Sequence, residues 1–131
     1  MSANLDLVRS IYADWERGDF DGVDWADPQL EIVAVEGPDP GTFVGHQAAR
    51  HAWRGFLSAW EHYRVAGEDF RELDNGRVLV LDHRSGRGKT SGLEVERVRG
   101  TVLFHIRDGK VTRMLAWWDR DRALADLGLE G

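Results

Sequence analysis

Glu36 closes an apolar face. Counted in steps of two, Leu30, Ile32, Ala34 and Glu36 share one side of an extended segment, and Glu31, Val33 and Val35 take the other. A carboxylate finishing such a face, beside a pocket mouth, is placed to accept a proton from a substrate, which is the work of a general base. The plainer reading is a solvated acid at a strand end. Asp82 and Arg84 share parity with Val78 and Val80 in the run VLVLDHR. If that face turns inward, two opposite charges enter an apolar interior, where isolated charges are too costly to occur by accident. If it turns outward, the pair is ordinary surface. Arg97 and Arg99 share a face with Thr101 and alternate with Glu96 and Val98, a pattern that fits a solvated cross-strand ladder of ion pairs.

Other chemistries are excluded more firmly. The five histidines do not form a ligand set. His46 and His51 fall on different faces of a helix, His83 and His105 sit on strands, and neither H-x-H nor H-E-x-x-H occurs, so no metal is expected. His83 or His105 fits an acid–base role or a half-buried structural one. The chain has no cysteine, which removes disulfides, thiolate catalysis and thiolate metal sites. G-x-S-x-G, P-loop and dinucleotide fingerprints are absent, and GRGKTSG lacks the spacing of a phosphate loop, so no cofactor is expected. With 23 acidic and 17 basic side chains the net charge is −6, which argues against nucleic-acid binding. The start MSANLDLVRS lacks a signal-peptide layout and no apolar run approaches a membrane span, so the expectations are a cytoplasmic protein and no membrane partner. The 131 residues fit a single domain, 1–131, with a core of its own.

The positioning elements centre on GTVLFHIRDGKVTRMLAWWDR, Gly100 to Arg120. Two apolar-rich runs flank Asp108-Gly109, a dipeptide that tolerates positive φ at both turn positions and so marks a tight hairpin. Before it, residues 4–17 read as a helix with Leu5, Val8, Tyr12 and Trp15 on one stripe, ended by Gly18. Residues 20–27 read as a short helical turn closed by Asp27-Pro28, 30–36 as a strand and 37–41 as loop. A longer amphipathic helix is expected from about His46 to Glu61, with Ala49, Trp53, Phe56, Leu57 and Trp60 as its apolar stripe. Strands follow at 63–74 and 77–89 around Asn75-Gly76, then at 93–107 and 110–120, and a short helix over 122–127 stops at Gly128. Helices first and long antiparallel strands after describe an α+β layout, with helices covering one face of a bent sheet.

The order of these elements, with RGDFDGV, VGHQAARHAW, GRGKTSGLEVE and FHIRDGKVTRMLAWWDRDRAL, resembles the SnoaL-like branch of the nuclear transport factor 2-like superfamily over nearly the whole chain. The resemblance implies a cone: a strongly curved, mostly antiparallel sheet wrapped around the N-terminal helices, a deep apolar pocket, and a homodimer through the open sheet face. The superfamily holds ketosteroid isomerase, polyketide cyclases, limonene epoxide hydrolase and scytalone dehydratase, so the fold alone selects no reaction. By resemblance to the isomerase, Glu36 occupies the place of the aspartate base. The donor tyrosine falls on or beside Ile11, with Tyr12 next to it, and the donor aspartate falls on Thr101. Threonine cannot act as a neutral acid there, which departs from the isomerase, the standard example of tuned carboxyl groups. Resemblance to the epoxide hydrolases offers Asp82 with Arg99, and Asp119 as a second acid. The implied walls are Trp15, Trp53, Phe56, Trp60, Met114 and Trp118, for an apolar small molecule. Cofactor-free isomerisation, cyclisation, dehydration or epoxide hydrolysis is one expectation, a non-catalytic carrier or sensor a second, and a dimeric interaction module a third.

Overall fold

The computed structural model describes residues 2–20, 22–36, 40–74, 76–89, 92 and 94–129, with backbone alone at 95–97. In chain order the elements are α1 (Ala3–Glu16), β1 (Ala26–Ala34), β2 (Gly41–Val44), α2 (His46–Ser58), β3 (Trp60–Glu72), β4 (Arg77–Gly88), β5 (Glu94–Arg107), β6 (Lys110–Trp117) and α3 (Arg120–Leu127). The strands form one mixed sheet in the order β2-β1-β6-β5-β4-β3, antiparallel throughout except for the parallel β1–β6 pair. The sheet is not closed: β2 and β3 remain its edges. α1 packs on β3 and β4, and α2 on β1, β2 and β3, so both lie on one side of the sheet.

Local chemistry sets the boundaries. The Ser2 hydroxyl accepts the Leu5 N–H at 3.0 Å and caps α1, whose buried stripe is Val8, Ile11, Tyr12 and Trp15. Gly18, at φ 85°, ends it. In the central hairpin Asp108 and Gly109 take φ values of 52° and 76°, the paired positive angles of a type I′ turn. Asn75 of the second turn signal lies outside the described residues. Its neighbour Gly76 has φ 70°, and a Cβ there would come within 2.5 Å of the Ile106 carbonyl oxygen.

Several expected boundaries differ. Residues 20–27 are not helical where described: a turn at Asp24 and Trp25 leads straight into β1. Asp27-Pro28 lies inside that strand, at a register shift between Ala26 and Glu31, where Asp27 Oδ1 takes the Gln29 N–H at 2.8 Å. A bulge is where a strand tolerates a residue without an N–H. β2, too short to leave a sequence pattern, follows Pro40; Gly37–Asp39 lie outside the described residues. α2 stops at Ser58 because Trp60 and Glu61 pair with Gly88 and Arg87 in the sheet. α3 begins two residues early, with Asp119 Oδ1 accepting the Arg122 N–H at 3.2 Å as its cap.

Apolar clusters pack on both faces of the sheet. The inner cluster joins α1 and α2 to Val78, Val80, Val102, Phe104 and Met114. The outer one joins Leu79, Leu81, Leu103 and Trp117 to Ala123 of α3. The unbroken burial of Val78 to Asp82 follows from this double cover.

Candidate functional site

A cavity of about 150 Å³ opens between α1, α2, the residues just before β1 and the inner sheet face. Aromatic rings form most of its wall. Trp53 and Phe56 stack with centroids 5.5 Å apart, Phe20 meets Trp53 edge-on at 5.5 Å, and Phe56 meets Tyr63 edge-on at 5.1 Å. Trp15, Met114 and Trp118 also line it. Trp60 does not. It sits behind the wall, stacked on Trp118 at 6.0 Å, because the chain has already turned from α2 into β3 at that residue.

Against this apolar wall lies a polar set from β4. Asp82 is fully buried and Arg84 is 5 % exposed, so the inward alternative for their shared face is the one adopted. Arg84 Nε donates to Asp82 Oδ1 at 3.0 Å and Nη2 to Oδ2 at 3.4 Å, while the Tyr12 hydroxyl donates to Oδ2 at 2.6 Å. The register opposes Asp82 to Gly100 on β5, and a Cβ at Gly100 would lie 2.5 Å from Arg84 Cζ. The guanidinium fits because glycine leaves that space. It also donates to the Thr101 carbonyl at 3.4 Å, and its Cζ lies 5.4 Å from the Trp118 ring centroid.

Electrostatics hold these protonation states. Burial, then the Asp82 charge, raises Tyr12 well above the ordinary phenol value, so it stays a donor. Burial lowers Arg84, but the attraction of Asp82, followed by that of Tyr63, outweighs it and leaves the guanidinium firmly charged. Tyr63 is pushed up to about 12 by burial, with Arg84 opposing and Asp82 adding. Its ring lines the cavity, and its hydroxyl has no hydrogen-bond partner among the described residues. A hydroxyl so placed can donate a hydrogen bond into the cavity.

Behind the sheet, Arg120 Nη2 donates to the Asp82 carbonyl at 2.7 Å and to Glu68 Oε1 at 3.0 Å. His83 Nδ1 lies 3.2 Å from the same Glu68 oxygen. His105 is lowered by burial and by Arg113 and Arg77, so it is a neutral imidazole away from the cavity lining.

Glu36, just past the end of β1, also lines the cavity. Its Oε1 accepts the backbone N–H groups of Trp118 and of Asp119, the latter at 2.7 Å, and Oε2 has no protein donor among the described residues. Trp118 therefore links the two polar groups, by its N–H to Glu36 and by its ring to Arg84.

Two expected members lie on the wrong face. Thr101 pairs in register with Leu81 and Trp117 of the outer cluster, and its buried hydroxyl finds no partner among the described residues. Arg99 is exposed and faces His83 in register, so it cannot reach Asp82 through the sheet. Asp119 is spent on capping α3. The Asp82–Arg99–Asp119 set does not assemble, and Arg84 replaces Arg99 as the partner of Asp82.

Tyr63 escapes sequence reasoning because His62 takes φ 55° and the β3–β4 register shifts between Glu61 and Arg64, which breaks strand parity. Arg50 and Arg54 of α2, on the flank of its apolar stripe, also line the cavity. Among the described residues no three His, Cys, Asp or Glu side chains cluster to hold a metal, and no helix is long and apolar enough to cross a membrane.

The sequence profile described as the SnoaL-like domain matches residues 8–114. No curated protein matches the chain. Among solved structures, an NTF2-like protein of unknown function from Burkholderia pseudomallei superposes with a TM-score of 0.78 at 21 % identity, over 95 % of this chain and 97 % of that one. TerC, crystallised with polyporic acid, gives a TM-score of 0.77 at 26 % identity over 96 % and 98 %. A polyketide-cyclase candidate from Xanthomonas campestris pv. campestris gives 0.73 at 21 % over 94 % and 95 %.

Proposed function

This chain belongs to the SnoaL-like domain family, and we propose that its cavity binds an apolar small molecule and carries out cofactor-free acid–base chemistry on it. The observation that carries the reading is the Tyr63 hydroxyl, unpartnered among the described residues, in an aromatic-walled cavity that also holds the charged Arg84. A carbonyl, enol or epoxide oxygen set against that hydroxyl and guanidinium has the donors needed for charge that develops in a transition state. Glu36, anchored through Oε1 with Oε2 open, is the proton acceptor. Tyr12 and Asp82 do not touch the reacting atoms: Tyr12 holds Asp82, and Asp82 holds Arg84 in place. The polyporic acid bound to TerC lends support, as an organic ligand of a structure with 26 % identity.

A non-catalytic carrier is the second reading. It is favoured by the mutual satisfaction of Asp82, Arg84 and Tyr12, which leaves this trio without an idle acid or base. A thermal-shift screen of apolar carbonyl compounds, epoxides and polycyclic aromatics, run on the wild type and Glu36→Gln with products followed by mass spectrometry, separates the two. Binding by both with conversion by the wild type alone supports the enzyme. Binding without conversion by either supports the carrier, and no shift with any compound overturns both.

A further inference from the structure

Helix α2 forms one side of the cavity, and its sequence, HQAARHAWRGFLS, has no acidic residue in a chain of net charge −6. Ala49, Trp53 and Phe56 point its apolar stripe into the cavity. At about 100° per residue, Arg50 and Arg54 follow Ala49 and Trp53 on the flank of that stripe, one turn apart and on the same edge. Both are exposed, both line the cavity, and neither has an ion-pair or hydrogen-bond partner among the described residues. Two like charges at this spacing repel and slightly weaken a helix, and no acid among the described residues pairs with them.

Among the described residues, the charged side chains lining the cavity are two carboxylates, Glu36 and Asp82, and three guanidiniums, Arg50, Arg54 and Arg84, so the described lining is positive by one while the chain as a whole is acidic. Arg84 and Asp82 neutralise each other in the interior. The uncompensated positive charge is therefore at the rim, on α2. An apolar cavity with a cationic rim attracts anions and orients them tail first.

We infer that Arg50 and Arg54 select a ligand with an apolar body and an anionic group, a carboxylate or an acidic enol, which stays at the rim while the body enters the aromatic wall. This rests on the cavity being a small-molecule site. Arginine suits the task because its planar fork pairs with a carboxylate through two N–H bonds. Exposure limits the gain, since solvent screens rim charges.

The test uses 2-naphthoic acid and its neutral isostere 2-naphthamide, titrated calorimetrically into the wild type, Arg50→Ala/Arg54→Ala and Arg50→Lys/Arg54→Lys at low salt. In the wild type the acid should bind about fivefold tighter than the amide, the size expected of exposed charge pairing. The preference should vanish in the alanine pair with amide affinity kept, survive in the lysine pair, and shrink as salt is raised. Equal binding of acid and amide by the wild type sinks the rim selection but leaves the cavity reading intact. A preference that persists in the alanine pair, or a loss of both probes alike, also sinks it. Failure of the wild type to bind either probe removes the cavity reading and the rim selection with it.

Discussion

The Tyr12 hydroxyl lies 2.6 Å from Asp82 Oδ2, across 70 residues of chain, and fastens α1 to β4, next to the β3 edge of the sheet, at the point where Arg84 enters the cavity. Three donors from two elements converge on one buried carboxylate. Such a network is worth more than its pairs taken singly, and it fails unevenly when one member is removed.

Removing Arg84 alone leaves the Asp82 charge buried with only Tyr12 to hold it. Arg84→Met should destabilise by about 3–5 kcal/mol in chemical denaturation, the range for breaking one side of a buried pair. Arg84→Met with Asp82→Leu should cost much less, because the replacement is apolar on both sides. A double variant as unstable as the sum of the singles would show that the pair is not coupled.

Tyr63 makes an alkaline prediction. Its folded pKa of about 12 lies above the ordinary value of 10.0. The folded state thus holds the proton more tightly, its stabilising contribution is complete below pH 10, and it is lost as pH rises from about 10 toward 12. The slope is up to about 1.4 kcal/mol per pH unit. Tyr12, also raised by burial and then by the Asp82 charge, contributes in the same direction. Tyr63→Phe should flatten the stability curve between pH 10 and 12 while leaving neutral-pH stability within about 0.5 kcal/mol, since its hydroxyl bonds to no described residue. An unchanged alkaline limb would remove Tyr63 from the buried titrating groups.

Gly100→Ala tests how the space for Arg84 is made. The added methyl would sit 2.5 Å from Cζ and 2.6 Å from Nε of Arg84, so the guanidinium must shift away from Asp82. Overpacking of this size costs about 1–3 kcal/mol. A variant as stable as the wild type would mean that the guanidinium has a second resting place at no cost.

How much of this was legible follows from periodicity. The hairpin at Asp108-Gly109, the α1 stripe and the inward alternation of Leu30, Ile32, Ala34 and Glu36 are short-range patterns, and each appears in the structure. The shared parity of Asp82 and Arg84 was legible too, but which way it faced depended on which side α1 and α2 covered, a tertiary fact. Thr101 and Arg99 were misplaced because the resemblance carried residue types to positions whose parity here runs to the outer face. Tyr63 was missed because one residue in the left-handed region shifts the register of β3, and His62 carries no local signal for that.

On the outer face, Glu68 predicts the acid limb. Its carboxyl lies below the ordinary 4.5, first because Arg120 donates a hydrogen bond to it, with a smaller contribution from His83 and with burial opposing both. A depressed folded pKa gives stability that is present above about 4.5 and lost as pH falls through the lowered value, because the unfolded chain takes up the proton first. Arg120 spans from Glu68 to the Asp82 carbonyl, so protonation of Glu68 releases one of the two anchors of that arginine. Glu68→Gln should therefore make denaturation midpoints less sensitive to pH below 4.5. The change should be modest, because Glu68 is 42 % exposed and solvent screens the pair. If Glu68→Gln and the wild type lose stability in parallel from pH 5 to pH 3, Arg120 is held by the Asp82 carbonyl alone and the Glu68 pair plays no part in seating it.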